Sequence, residues 1–77
     1  MKITYDNLKD LLRCNSGMKL EFRENTNILD VFLYNKPIFN IELENNSIED
    51  NCDKIYNSIV SIENITMYIP KVYVKNK

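Results

Sequence analysis

Three carboxylates, Glu21, Asp30 and Glu42, stand on segments whose hydrophobicity alternates with period two, so that pairing those segments as strands would set them side by side on one face. Like charges directly opposite on a ladder repel, so such a row calls for a cation or a basic partner. Mg²⁺ and Ca²⁺ take oxygen ligands, but from sites that wrap them, which a flat sheet face does not do. No metal or other cofactor is therefore expected. Glu44, Phe32 and Tyr34 neighbour the row. Rings beside charge suit protein binding, because the aromatics supply buried area while the acids set orientation and on-rate. Glu21, Asp30, Glu42, Glu44, Phe32 and Tyr34 are thus the candidate partner-binding residues. The competing reading is that Lys19 and Arg23 reach diagonally across the strands and neutralise the acids, leaving an ordinary solvated surface.

Chemistry of other kinds has little to work with. The chain has no histidine, which removes the commonest general base near neutral pH and the commonest zinc ligand. Ser16, Ser47, Ser58 and Ser61 fall at caps or on polar helix faces, and neither a Gly-rich phosphate loop nor a G-x-S-x-G elbow occurs. No enzymatic activity is expected.

The elements that must position the acids follow from period and punctuation. Thr4 caps a first helix running to about Asn15, with Asp6 in its first turn and Ile3 and Leu8 forming a hydrophobic staple across the cap. Gly17, the only glycine, is placed where a left-handed residue would close that helix. Met18, Leu20 and Phe22 then alternate with Lys19, Glu21 and Arg23 as a first strand. Glu24 to Asn27 is a polar turn, Ile28 to Tyr34 a second strand, and after the breaker Asn35-Lys36-Pro37 a third strand runs from Ile38 to Glu44. Ser47 caps a second helix, with Asp50 three residues on. Along it Ile48, Cys52, Ile55, Ile59 and Ile62 form an apolar stripe that should cover the sheet, and Asn64 closes it. Ile65, Met67 and Ile69 read as a fourth strand, kinked at Pro70 because proline cannot donate to a ladder.

Register follows from keeping every apolar residue on one face, since a slip of one residue turns a strand inside out. A four-residue loop lets Phe22 oppose Leu29 and Leu20 oppose Val31. Pairing Leu33 with Phe39, Val31 with Ile41 and Leu29 with Leu43 extends the meander and implies an odd loop of three or five residues. The outer face then carries Arg23, Ile28 and Glu44 in one row, Glu21, Asp30 and Glu42 in the next, and Lys19, Phe32 and Asn40 in the third. The expected fold is α+β, in the order α-β-β-β-α-β, an antiparallel meander with two helices packed on one face.

At 77 residues, the sequence reads as a single domain over 1–77, small enough that one core leaves only a few kcal/mol of net stability. With 44% apolar and 27% charged residues the composition is that of a folded domain. A formal net charge of −1 provides no overall field for nucleic acid or an anionic membrane, so neither is expected as a direct partner. Cys14 and Cys52 fit no C-x-x-C spacing and are expected to be buried free thiols. The first residues lack the apolar run of a signal peptide and no segment is long enough to span a bilayer, so a cytoplasmic protein is expected. Twelve asparagines, ten isoleucines and eight lysines against two arginines match the bias of an AT-rich genome.

The α-β-β-β-α order over residues 4 to 63 resembles a double-stranded RNA-binding domain, which presents lysines to phosphate from the first turn of its second helix. Here that turn is Ile48-Glu49-Asp50, and its acids disfavour RNA. The same order, with the size and acidity of the chain, also resembles small phage anti-CRISPR inhibitors. That resemblance implies that Glu21, Asp30, Glu42 and Glu44 stand in for phosphates against the Lys and Arg of a nucleic-acid enzyme or defence complex in the host cytoplasm. The expected function is thus a small non-catalytic protein-binding inhibitor of phage or mobile-element origin. The alternative is a self-associating structural or regulatory protein, a homodimer paired through the edge strand around Tyr68 to Val74.

Overall fold

A computed structural model describes residues 2–62 and 67–70. In chain order the elements are α1 (Tyr5–Cys14), β1 (Met18–Phe22), β2 (Ile28–Leu33), β3 (Lys36–Glu42) and α2 (Cys52–Val60). The strands form an antiparallel sheet in the order β1-β2-β3, so the class is α+β.

α1 begins as its sequence dictates. Thr4 Oγ1 accepts the Asn7 N–H at 3.2 Å while Asn7 Oδ1 accepts the Thr4 N–H at 2.9 Å, a reciprocal capping box with an amide in place of the usual acid. Ile3 and Leu8 are both buried against the core, closing the staple. At the other end Asn15 caps α1, and its side chain does more. Its Nδ2 donates to Leu11 O at 2.8 Å and to Tyr68 O at 2.7 Å, and its Oδ1 accepts the Tyr68 N–H at 2.9 Å. One amide thus closes the helix and docks the Met67–Pro70 segment as a neighbouring peptide group would.

Gly17 does not act as a left-handed helix stop, since no glycine has a positive φ. Its bare Cα instead lets the exposed Tyr34 ring lie against it. A Cβ there would overlap the ring of Tyr34, whose N–H donates to Gly17 O at 2.7 Å. α2 also differs from expectation. It begins at Cys52 and is capped at Ser61, and Ile48 to Asn51 form a separate turn before it. Ser47 Oγ accepts the Asp50 N–H at 3.1 Å within that turn, so the cap chemistry is present but closes the turn instead of starting the helix.

Leu8 and Leu11 of α1, Ile55, Tyr56 and Ile59 of α2, and Met18, Leu29, Val31 and Ile41 of the sheet bury into one core, joined by Leu43. Both helices therefore lie on the same face. Of the expected fourth strand, Met67–Pro70 carries no strand, while Ile65, Thr66, Val72 and Val74 lie outside the described residues, as does Asn64. Both cysteines are free, but Cys14 is exposed instead of buried and Cys52 is half-buried, its thiol 3.5 Å from Ile3 O. No helix among the described residues is long and apolar enough to cross a membrane.

Candidate functional site

The face of the sheet opposite the helices is built by two hairpins. In the first, Arg23 and Ile28 flank a four-residue loop, joined by Arg23 N–H to Ile28 O at 2.9 Å. Thr26 Oγ1 donates to Arg23 O at 2.8 Å and accepts from Ile28 N at 3.1 Å. Asn25 takes a φ of 62°, which asparagine tolerates better than most residues. The pairs that follow are Phe22 with Leu29, Glu21 with Asp30, Leu20 with Val31 and Lys19 with Phe32, as the hydrophobic pattern requires.

The second hairpin departs from expectation. Its loop has two residues, Tyr34 and Asn35, at φ 52° and 69°, the type I′ geometry whose twist matches that of the strands. An even loop alone would have turned β3 inside out. A bulge corrects this: Phe32 pairs with Pro37 and Val31 with Phe39, so Ile38 is the extra residue. Leu29 consequently pairs with Ile41, not Leu43, and Val31 with Phe39, not Ile41. The parity is the expected one and the register is two residues away from it.

That slip rearranges the acids. Glu21 and Asp30 are directly opposite, but Asp30 faces Asn40 on its other side, and Glu42 lies beside Ile28 and diagonal to Asp30. Glu44 follows the end of β3, where its backbone oxygen accepts from Asn27 Nδ2 at 3.4 Å. The expected row of Glu21, Asp30 and Glu42 is therefore a pair plus a diagonal neighbour. Asp30 is also neutralised, because Arg23 reaches across the ladder with Nη2 to Oδ1 at 2.7 Å and Nε to Oδ2 at 3.3 Å. This two-point contact, hydrogen bonding first and charge second, holds Arg23 above its ordinary pKa. Among the described residues Glu21, Glu42 and Glu44 form no ion pair.

Phe32 and Ile28 are half-buried and belong to the outer face, since neither joins the core. Tyr34 stands at the hairpin tip, 75% exposed. Lys19, Leu20, Glu21, Phe32 and Asn35 line an open depression of about 360 Å³ beside the Phe32 ring. Among the described residues no three His, Cys, Asp or Glu side chains converge to hold a metal ion. The sequence carries no signal for the depression, one wall of which is Asn35 of the tight turn. No protein-family model, curated protein or solved structure matches the chain.

Proposed function

We propose that this chain is a small non-catalytic protein-binding module. It docks the outer face of its sheet on a basic, nucleic-acid-binding surface of a host enzyme or defence complex and inhibits it, as a phage or mobile-element protein would. The observation that carries this reading is that both helices pack on one side of the sheet, which leaves Phe32 and Ile28 half-exposed beside carboxylates on the other. The ion pair of Asp30 with Arg23 narrows the anionic part of the surface to Glu21, Glu42 and Glu44. These flank an apolar centre, so the rings would supply the buried area and the acids the match to lysine and arginine.

The experiment is capture from lysate of the source organism on the immobilised chain, with heparin as competitor. The expected result is a protein released by heparin and lost with Glu21→Lys plus Glu42→Lys. Capture that withstands both treatments would show that the acids do not face a nucleic-acid site.

A further inference from the structure

The outer face has a second property, its match to itself, and the inference drawn from it rests on the reading that this face is the docking surface. Its three columns are Lys19 and Glu21 on β1 with Arg23 just past its end, Phe32, Asp30 and Ile28 on β2, and Pro37, Asn40 and Glu42 on β3. Two sheets meeting face to face about a two-fold axis in their common plane can set that axis across the strands or along them. Across the strands, β1 lies over β1 with its order reversed. Lys19 then meets Arg23, and Glu21 meets Glu21, so every contact on that strand is between like charges.

Along the strands, β1 of one copy lies over β3 of the other and the rows keep their level. Arg23 then meets Glu42 twice and Glu21 meets the Asn40 amide twice, while Phe32 meets Phe32 and Ile28 meets Ile28. The central Asp30 residues would repel, but each is already neutralised by its own Arg23. Arg23 can serve both acids, since Nε and Nη2 hold Asp30 and Nη1 remains as a donor. The depression beside Phe32 leaves room for the second ring in an offset stack.

The geometry points to a second copy of this chain as the occupant of the outer face, docked about a two-fold axis running along β2. The contact is small. Three strands about 4.8 Å apart and five residues at about 3.4 Å each present roughly 250 Å² in plan, well below the ~800 Å² per partner of a stable interface. The pairing is therefore weak and concentration-dependent, and a better-matched basic surface displaces it. In this way the free chain covers its own apolar centre until a target is met.

Sedimentation across a concentration series tests the proposal. The apparent mass should rise from 9.2 kDa toward twice that value, with the amides of Ile28, Phe32 and Asn40 shifting in NMR spectra over the same range. Arg23→Glu and Glu42→Arg should each weaken association at least tenfold. The double exchange should restore it, because Arg at position 42 regains both the contact in trans and the diagonal contact with Asp30. A wild-type chain that stays monomeric to millimolar concentration overturns the proposal. So does a double exchange that fails to recover, or shifts confined to Met67–Pro70. The NMR series uses the unaltered chain and does not depend on any variant folding. A monomer that still captures a heparin-sensitive target refutes only the self-docking, and a dimer of this form that captures nothing refutes only the inhibitor reading.

Discussion

The two hairpins that share β2 hold their registers by different means. The first is set by side-chain chemistry in its loop, where Thr26 bonds to both Arg23 and Ile28. The second is set by backbone geometry. It puts a tyrosine and an asparagine at positive φ and then absorbs the parity error of its even loop at Ile38. A bulky residue in the left-handed region is unfavourable by about 1–2 kcal/mol, so the second hairpin is the strained one. Strain of this kind persists only where the surroundings hold it, here through Gly17, whose bare Cα accepts the Tyr34 ring. The first hairpin is thus the scaffold, while the second shapes the contact surface, since Tyr34 stands exposed at its tip and Asn35 closes the Phe32 depression against Lys19, Leu20 and Glu21.

The largest effect should come from the strand the hairpins share. Leu29 is fully buried and pairs with Phe22 on one side and Ile41 on the other. Leu29→Ala should reduce stability by about 2–5 kcal/mol, a large share of what a core this small can supply. Urea denaturation followed by far-UV circular dichroism measures it. Ile28→Ala, one residue away on the outer face, should fall well short of that loss, and equal losses would mean that the outer face is covered.

Next comes the first hairpin's loop. Thr26→Val removes the hydroxyl that donates to Arg23 and accepts from Ile28, for an expected loss of about 1–2 kcal/mol in the same denaturation experiment. No change would mean that the loop is held by hydrophobic pairing alone and that the contrast between the hairpins is overstated.

The difference between the hairpins also governs how much of each is legible in the sequence. The first register followed from alternation plus a loop whose four polar residues have one sensible length. In the second, parity was legible because Val31, Phe39 and Ile41 must all face inward, but position along the strand was not. Tyr34-Asn35 lacks the glycine that normally marks a type I′ turn, and Lys36-Pro37 reads as a break although both belong to β3. Pro37 was the available clue, since a proline inside a strand belongs at an edge or a bulge, and the bulge is the next residue. The candidate site inherits this division. Glu21 beside Asp30 was legible, and Glu42 was misplaced by the two-residue slip. Likewise, the step pattern from Ile48 onward located the apolar side of α2 but not its first turn, because hydrophobic spacing continues through a turn that is not helical.

A smaller effect, of opposite sign, is expected at the second turn. Tyr34→Asn places a residue that tolerates positive φ at the strained position and removes the ring from Gly17, and should stabilise the fold by about 0.5–1 kcal/mol. Thermal denaturation of four proteins, wild type, Gly17→Ala, Tyr34→Asn and the double variant, sharpens this. Gly17→Ala should be unfavourable beside tyrosine and close to neutral beside asparagine. Additive effects would show that the ring and the glycine are not coupled.

The smallest effect on stability is expected at Arg23, and it separates the two uses proposed for the outer face. The guanidinium is half-exposed, while the Asp30 carboxylate it holds is mostly covered and faces Glu21, so Arg23→Gln should lower the denaturation midpoint only slightly. Its effect on docking should be larger and of opposite sign in the two cases. With the cation gone, Asp30 joins Glu21 and Glu42 as a free carboxylate, and the face becomes one unit more negative. Affinity for a basic target should rise and depend more steeply on salt. Self-association should fall, because Arg23 is the group that meets Glu42 of the second copy and shields the two Asp30 residues from each other. Titrating the captured target and sedimenting the free chain, both at low and high salt, read the two quantities independently. If both move in the same direction, Arg23 acts through the shape of the face and not through its charge, and the register alone must then explain what the surface selects.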